Sequence, residues 1–218
     1  MAILKRLPLF PLGLVLYPEE RLPLHIFEPR YKEMTEGCLA TGSPFGIVFF
    51  DEGKMAQVGC TARITHVLER YEDGRMDLLV GGETRFEVIK IYDDEPYLTA
   101  DVEMIEEPEE PPQQDILERV ITQHMRLLEL AGRTVRPSLY ENQSLLSYVI
   151  APNAGLTPQQ KQEILEIRAE NKRIDYLIGH FESLIPKVER MDELRRRIQS
   201  NGHFKDFPPE ELESDEDE

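Results

Sequence analysis

The run His25-Ile26-Phe27-Glu28-Pro29-Arg30-Tyr31 is the densest polar and aromatic cluster in the chain. A histidine, a carboxylate and a guanidinium this close together have the groups needed to move a proton or hold an anion. The same residue types also suit a turn. Glu28 stands where a helix cap belongs ahead of Pro29, and His25 or Arg30 can satisfy buried backbone groups. His25, Glu28 and Arg30 are therefore a turn-cluster candidate with a chemical and a structural reading.

Other chemistry that a sequence can announce is not found. Gly53-Lys54 is followed by Met55, and Val48 stands where a phosphate-binding loop needs its first glycine. In Gly42-Ser43-Pro44-Phe45-Gly46 the serine is out of frame for a nucleophile elbow. His25, His66, His124, His180 and His203 share no ligand spacing with one another or with a cysteine pair. Cys38 and Cys60 are not in a CxxC arrangement, so no metal or cofactor is expected. Two buried thiols in a reducing, cytoplasmic compartment are the expectation for them. With no catalytic constellation, the chain is not expected to be an enzyme.

The elements that must position the cluster are read from periodicity. Leu7 to Leu12 alternates apolar residues with Pro8 and Pro11, which suits an edge strand or extended segment rather than a helix. Leu14 to Tyr17 and Leu22 to Phe27 read as two short extended runs. Pro29 opens a helix that Gly42 closes, with Tyr31, Met34 and Cys38 on one face. Phe45 to Phe50, the period-two run from Val58 to His66, and Met76 to Val80 follow as strands. Asp73-Gly74 marks a hairpin and Gly81-Gly82 a bulge or bend. Phe86 to Ile91 and Tyr97 to Ile105 complete a small curled sheet or pseudo-barrel. Beyond the Glu/Pro-rich stretch 106–114, every segment reads as helix. Ile116 to Ala131 is the first, stopping at Gly132. Ser138 to Glu141 is a capping box for a second. Thr157-Pro158-Gln159-Gln160 starts a third, and a long fourth contains Pro186 and runs towards Asn201-Gly202. The fold class is α+β, with a β-rich lobe over residues 1–110 and a helical lobe over 111–203.

The formal net charge of the 218 residues is −17, from 42 acidic and 25 basic side chains. Ten acidic residues fall between Asp93 and Asp115 and eight between Asp206 and Glu218, neither stretch holding a Lys or Arg. With those set aside the remainder stands at +1, so acidity alone does not exclude a nucleic-acid partner. Residues 204–218 are too poor in apolar side chains to fold and are expected to be a disordered acidic tail. Two roles stand open for it: folding back on the Arg195–Arg197 helix end to compete with anionic partners, or only aiding solubility. Lys5 and Arg6 ahead of an apolar run imitate a signal peptide, but Pro8, Pro11, Glu19 and Glu20 spoil the pattern. No apolar stretch reaches the roughly 20 residues a membrane span needs.

The blocks Leu7-Pro-Leu-Phe-Pro-Leu12 and Leu22-Pro-Leu-His-Ile-Phe-Glu-Pro-Arg-Tyr31 resemble the Lon substrate-binding (Lon N-terminal) domain family. The small stand-alone bacterial members are the nearest likeness. The resemblance continues at Gly59 to Ile64, Asp73-Gly-Arg75, Gly82 to Phe86, Leu146 to Ala151 and Gln160 to Leu165. It departs at Glu19-Glu20, where the family often has a glycine. It implies a lobe like the pseudouridine-synthase-associated (PUA-like) fold, then a helical bundle ending in a long helix. It also implies recognition of unfolded or damaged protein segments, with a protease as a partner. The ATPase and peptidase domains of full-length Lon have no counterpart in these residues, which favours a non-catalytic adaptor in protein quality control. An RNA-binding PUA-like module is the alternative, and the basic end of the last helix is its motive. Tyr17, Phe49, Tyr71 and Tyr92 are candidate protein contacts, each with packing as the competing role.

Overall fold

The computed structural model describes residues 2–107, 112–134, 136–141, 143 and 145–202, apart from the side chains of 199–202. The expected disordered tail at 204–218 lies outside the described residues. Six strands come first, with one helix among them: β1 (Ile3–Leu12), β2 (Arg21–Ile26), α1 (Pro29–Thr41), β3 (Phe45–Asp51), β4 (Lys54–Arg70), β5 (Met76–Tyr92) and β6 (Thr99–Met104). Then come α2 (Gln114–Leu130), α3 (Leu146–Ile150), α4 (Pro158–Glu166) and α5 (Glu170–Gly202), with 3-10 turns at Pro137–Tyr140 and Ala151–Asn153.

The strand order is β2-β5-β4-β3-β1-β6, and a further β5–β6 pairing closes five strands into a ring. Among the described residues β2 pairs with β5 alone, and it lies outside that ring. The long, bulged β4 and β5 make this possible: β4 joins β3 to β5, and β5 pairs with β4 on one edge and with β2 and then β6 on the other. At the Gly81-Gly82 bend, a Cβ on Gly82 would run into the carbonyl of Tyr17. The glycine lets the loop before β2 lie against the sheet, and Gly82 N–H donates to the Glu20 carbonyl at 2.9 Å.

Two sequence expectations are corrected here. β1 is not an edge strand, since β6 lies on one side and β3 on the other. Its prolines are tolerated because the partners change along its length. Residues up to Pro8 register with β6, and Leu9 to Leu12 run parallel to β3. Leu14 to Tyr17 is not a strand but a loop, in which Val15, Leu16 and Tyr17 are buried.

Helix α1 follows its sequence signals, with Pro29 in the first turn and Gly42 closing it at φ 67°. Tyr31, Met34, Thr35 and Cys38 turn inward against Leu24, Ile26, Met76 and Leu78. Cys38 and Cys60 are both buried and unpaired, and burial pushes both thiols up. The capping box at Thr157 forms as read, Gln160 N–H donating to Thr157 Oγ1 at 3.2 Å. The second expected helix does not form from Ser138, because Pro137–Tyr140 is a single 3-10 turn. The helix instead begins at Leu146, capped from a distance. Ser147 N–H donates to the Glu170 carboxylate of α5 at 2.8 Å.

The helices share a core with the strands. Val15, Tyr17, Val58 and Ile105 join Leu146, Ile150, Ile164, Leu177 and Phe181 in one cluster. That explains why β4 is buried continuously from Val58 to Ala62 rather than alternately: both its faces are covered.

Candidate functional site

The outward face of β2 and β5 carries the exposed polar and aromatic cluster. Register places His25 opposite Asp77, and Asp77 opposite Glu69 of β4. Leu24, Ile26, Met76 and Leu78 point into the core, so the alternating His25 and Asp77 point outward. His25 Nδ1 lies 2.6 Å from Asp77 Oδ1, and the Tyr71 hydroxyl donates to Asp77 Oδ2 at 2.7 Å. His25 stacks on Phe27 at a centroid distance of 6.0 Å and meets Tyr71 edge-on at 6.1 Å. The His25 hydrogen bond, then that of Tyr71, holds Asp77 below the usual carboxylate range. The same Asp77 contact pushes the Tyr71 phenol up to about 12. Phe27 is 59% exposed at the end of this row. Arg75 sits over the Tyr71 ring at 4.9 Å, its Nε donating to Asp73 at 2.7 Å.

Both Asp77 oxygens are engaged, and no cluster of metal-ligating side chains occurs among the described residues. The arrangement combines an exposed ring, oriented hydrogen-bonding groups and an adjoining strand that, among the described residues, is paired on one side.

The sequence candidates divide accordingly. Glu28 and Arg30 form their own pair, Arg30 Nε donating at 3.0 Å, with Arg30 4.6 Å from the Tyr31 ring centroid. Glu28 occupies the cap position of α1, but its side chain makes no capping bond because Arg30 takes it. Tyr71 joins His25 through Asp77. Tyr17 is fully buried, stacks on Tyr148 at 5.3 Å and donates to the Lys161 carbonyl at 2.9 Å, which withdraws it from any contact surface. Phe49 is half-buried against the helical core. Tyr92 is half-buried beneath the Arg6 guanidinium at 3.7 Å and donates to Asp101 at 3.0 Å. A groove of about 320 Å³ lies between β1 and α1, lined by Leu4, Leu7, Met34, Cys38 and Tyr97, away from His25, Glu28 and Arg30.

Sequence reasoning missed Asp77 as the centre of the face. Its one signal is a polar residue between Met76 and Leu78, and its partnership with His25 depends on a β2–β5 register that neither run discloses.

A second polar cluster is internal. Arg85 of β5 and Arg173 of α5 are fully buried and share Glu107, at 2.6 Å from Arg85 Nε and 2.9 Å from Arg173 NH2. Arg173 also donates to Glu170 and Ser147 Oγ, and packs 4.3 Å from the Tyr148 ring centroid. Both guanidiniums grip the α4–α5 connection: Arg85 bonds the carbonyls of Leu165 and Ile167, Arg173 those of Ile167 and Arg168. The donors are committed to structure.

No helix among the described residues is long and apolar enough to cross a membrane. Residues 6–182 match the ATP-dependent protease La (LON) substrate-binding domain family. The chain is 24% identical to the Lon protease of Flavobacterium johnsoniae over 211 residues, which is 88% of this chain and 26% of that protein. It is 27% identical to the Lon protease of Buchnera aphidicola over 208 residues, again 88% and 26%. The chain thus spans about a quarter of these relatives' length, in the substrate-binding region and not the catalytic domains. Among solved structures it is similar to a Lon N-terminal domain protein from Xanthomonas campestris, with TM-score 0.66 and 24% identity over 82% of this chain and 98% of that one. The N-terminal domain of a Mycobacterium avium complex Lon protease is similar at TM-score 0.59 and 20% identity, over 83% and 100%. With the family matched over most of its length, the chain belongs to the Lon substrate-binding domain family.

Proposed function

We propose that this chain is a non-catalytic recognition module that binds unfolded or damaged protein segments in the cytoplasm and hands them to a partner protease. The single observation that carries the reading is the exposed Phe27, stacked on His25 beside the strand β2, which among the described residues pairs only with β5. An extended segment can add to such an edge through backbone hydrogen bonds while an apolar side chain seats on the ring. Family membership supports a protein ligand.

A nucleic-acid ligand has less support. Most surface arginines of the strand-rich part are matched by carboxylates, Arg6 by Asp94, Arg63 by Glu83, Arg70 by Glu36 and Arg75 by Asp73, and Arg168 of the α4–α5 connection is matched by Glu87. Paired guanidiniums lack the unbalanced charge that tracks a phosphate backbone.

The test is calorimetric titration of the full chain with a reduced, unfolded polypeptide and with its folded parent. Binding confined to the unfolded form, and weakened by Phe27→Ser, is the expected result. Equal affinity for both forms, or an unmoved affinity in the variant, overturns it.

A further inference from the structure

Helix α5 outruns the helix that packs along it. Arg119 and Arg126 of α2 pair with Glu182 and Glu189 of α5, each pair a helical heptad from the next and running in the same direction. α2 ends at Leu130 while α5 continues to Gly202. Past the Arg126–Glu189 pair, Met191, Leu194 and Ile198 stand 58%, 58% and 63% exposed. Their i, i+3, i+7 spacing places them in one stripe on a single helix face.

The charges beside the stripe decide what suits it. At about 100° per residue, Arg190 and Arg197 fall along one side of it and Arg195 along the other. Asp192, Glu193 and Arg196 fall on the opposite face, where Arg196 reaches back to Asp192 at 2.6 Å. A second copy laid stripe to stripe would set arginine against arginine in either direction, so self-association is disfavoured. The fitting occupant combines apolar side chains with negative charge. Residues 203–218 meet that description, with Phe204, Phe207 and Leu212 among eight acidic residues from Asp206 to Glu218. Doubling back from Gly202 to the level of Met191 requires about 17 Å, within reach of roughly five or six extended residues.

We propose that residues 203–218 dock on the Met191–Leu194–Ile198 stripe of α5, Phe204 and Phe207 covering the apolar side chains and the acidic run lying along the flanking arginines. The segment then acts as a tethered competitor, which an acidic, apolar segment of another protein must displace to reach the helix. This surface is distinct from the Phe27 face and does not depend on the function assigned to it.

Hydrogen exchange of the α5 backbone amides from 190 to 200 in the full chain tests the contact. Two variants are compared with the parent: Phe204→Ser with Phe207→Ser, and the eight acidic residues changed to Asn or Gln. Each is expected to speed exchange there by about tenfold, with α5 amides beside Phe181 unchanged as the control for folding. Protection in the parent should persist across about a hundredfold dilution, as an intramolecular contact must. Rates unmoved by both variants overturn the proposal. So does protection that grows with protein concentration, which would assign the stripe to a second copy.

Discussion

The buried cluster around Arg173 and the exposed cluster around Asp77 use the same chemical vocabulary of carboxylate, cation and tyrosine hydroxyl, with opposite consequences. Arg85 and Arg173 have no solvent, so their donors must be matched by protein acceptors, and carboxylates and carbonyls from the segment after β6, α4, the α4–α5 connection and α5 supply them. Removing one member strands the others in a low dielectric. His25 and Asp77 keep 46% and 32% side-chain exposure, so water competes for every bond and little folding stability is at stake. Saturation and burial mark a structural cluster, whereas partial satisfaction beside an exposed ring marks a surface able to take a partner.

The largest effect should come from breaking the buried cluster. Arg173→Ala takes the paired cation from the buried Glu170, leaves Glu107 with Arg85 alone, and removes one donor each from the carbonyls of Ile167 and Arg168. A loss of about 3–5 kcal/mol in urea unfolding is expected. Because Arg85 holds the same connection, Arg85→Ala with Arg173→Ala should cost clearly less than the sum of the single variants. The strand and helix signals should still fall in one transition, since Val58 and Ile105 belong to the helical core. A loss below 1 kcal/mol would erase the contrast between the clusters.

His124 of α2 sharpens the contrast through pH. It is fully buried, stacked on Phe181 at 5.9 Å, with Nδ1 2.9 Å from the Tyr140 hydroxyl. His180 of α5 also borders Phe181, and its Nε2 lies 3.0 Å from the Ala154 carbonyl. Burial lowers His124 from 6.5 to about 4. The folded state therefore favours the neutral ring, and its contribution is complete above pH 6.5. As pH falls from there towards 4, the unfolded chain takes up the proton first and stability declines, by at most about 3 kcal/mol. His124→Gln should flatten that limb of the stability–pH curve, whereas His25→Gln, on the exposed face, should leave it in place.

How much of this was legible in the sequence follows the range of the forces involved. α1 was readable because Pro29, Gly42 and the Tyr31–Met34–Cys38 spacing are local, and so was the capping box at Thr157. The true start of α3 was not, because its cap is Glu170, supplied from another helix. The extended conformation of β1 is legible in its prolines but its inner place is not, because a strand that exchanges partners midway leaves no mark in its own residues. The candidate site shows the same limit. His25 stands out within its motif, but Asp77 and Tyr71 reach it only through strand register, and of the two roles open to Tyr17, contact or packing, only the helices that cover it decide for packing.

The smallest expected effects lie on the exposed face, where binding and stability should separate. Phe27→Ala removes a ring already in water, so stability should change by no more than about 0.5 kcal/mol. Affinity for an unfolded polypeptide should fall by roughly tenfold, as for an aromatic anchor at a contact. Asp77→Asn should act more gently still. The amide keeps one acceptor for Tyr71 or His25 but loses the charge that orients both, so the rings beside Phe27 lose their fixed arrangement. A two- to threefold loss of affinity is expected, about 0.5 kcal/mol, with an unfolding midpoint close to that of the parent. If Asp77→Asn instead destabilised the fold as strongly as Arg173→Ala, the exposed cluster would be holding the sheet together. The functional reading of that face would then fall.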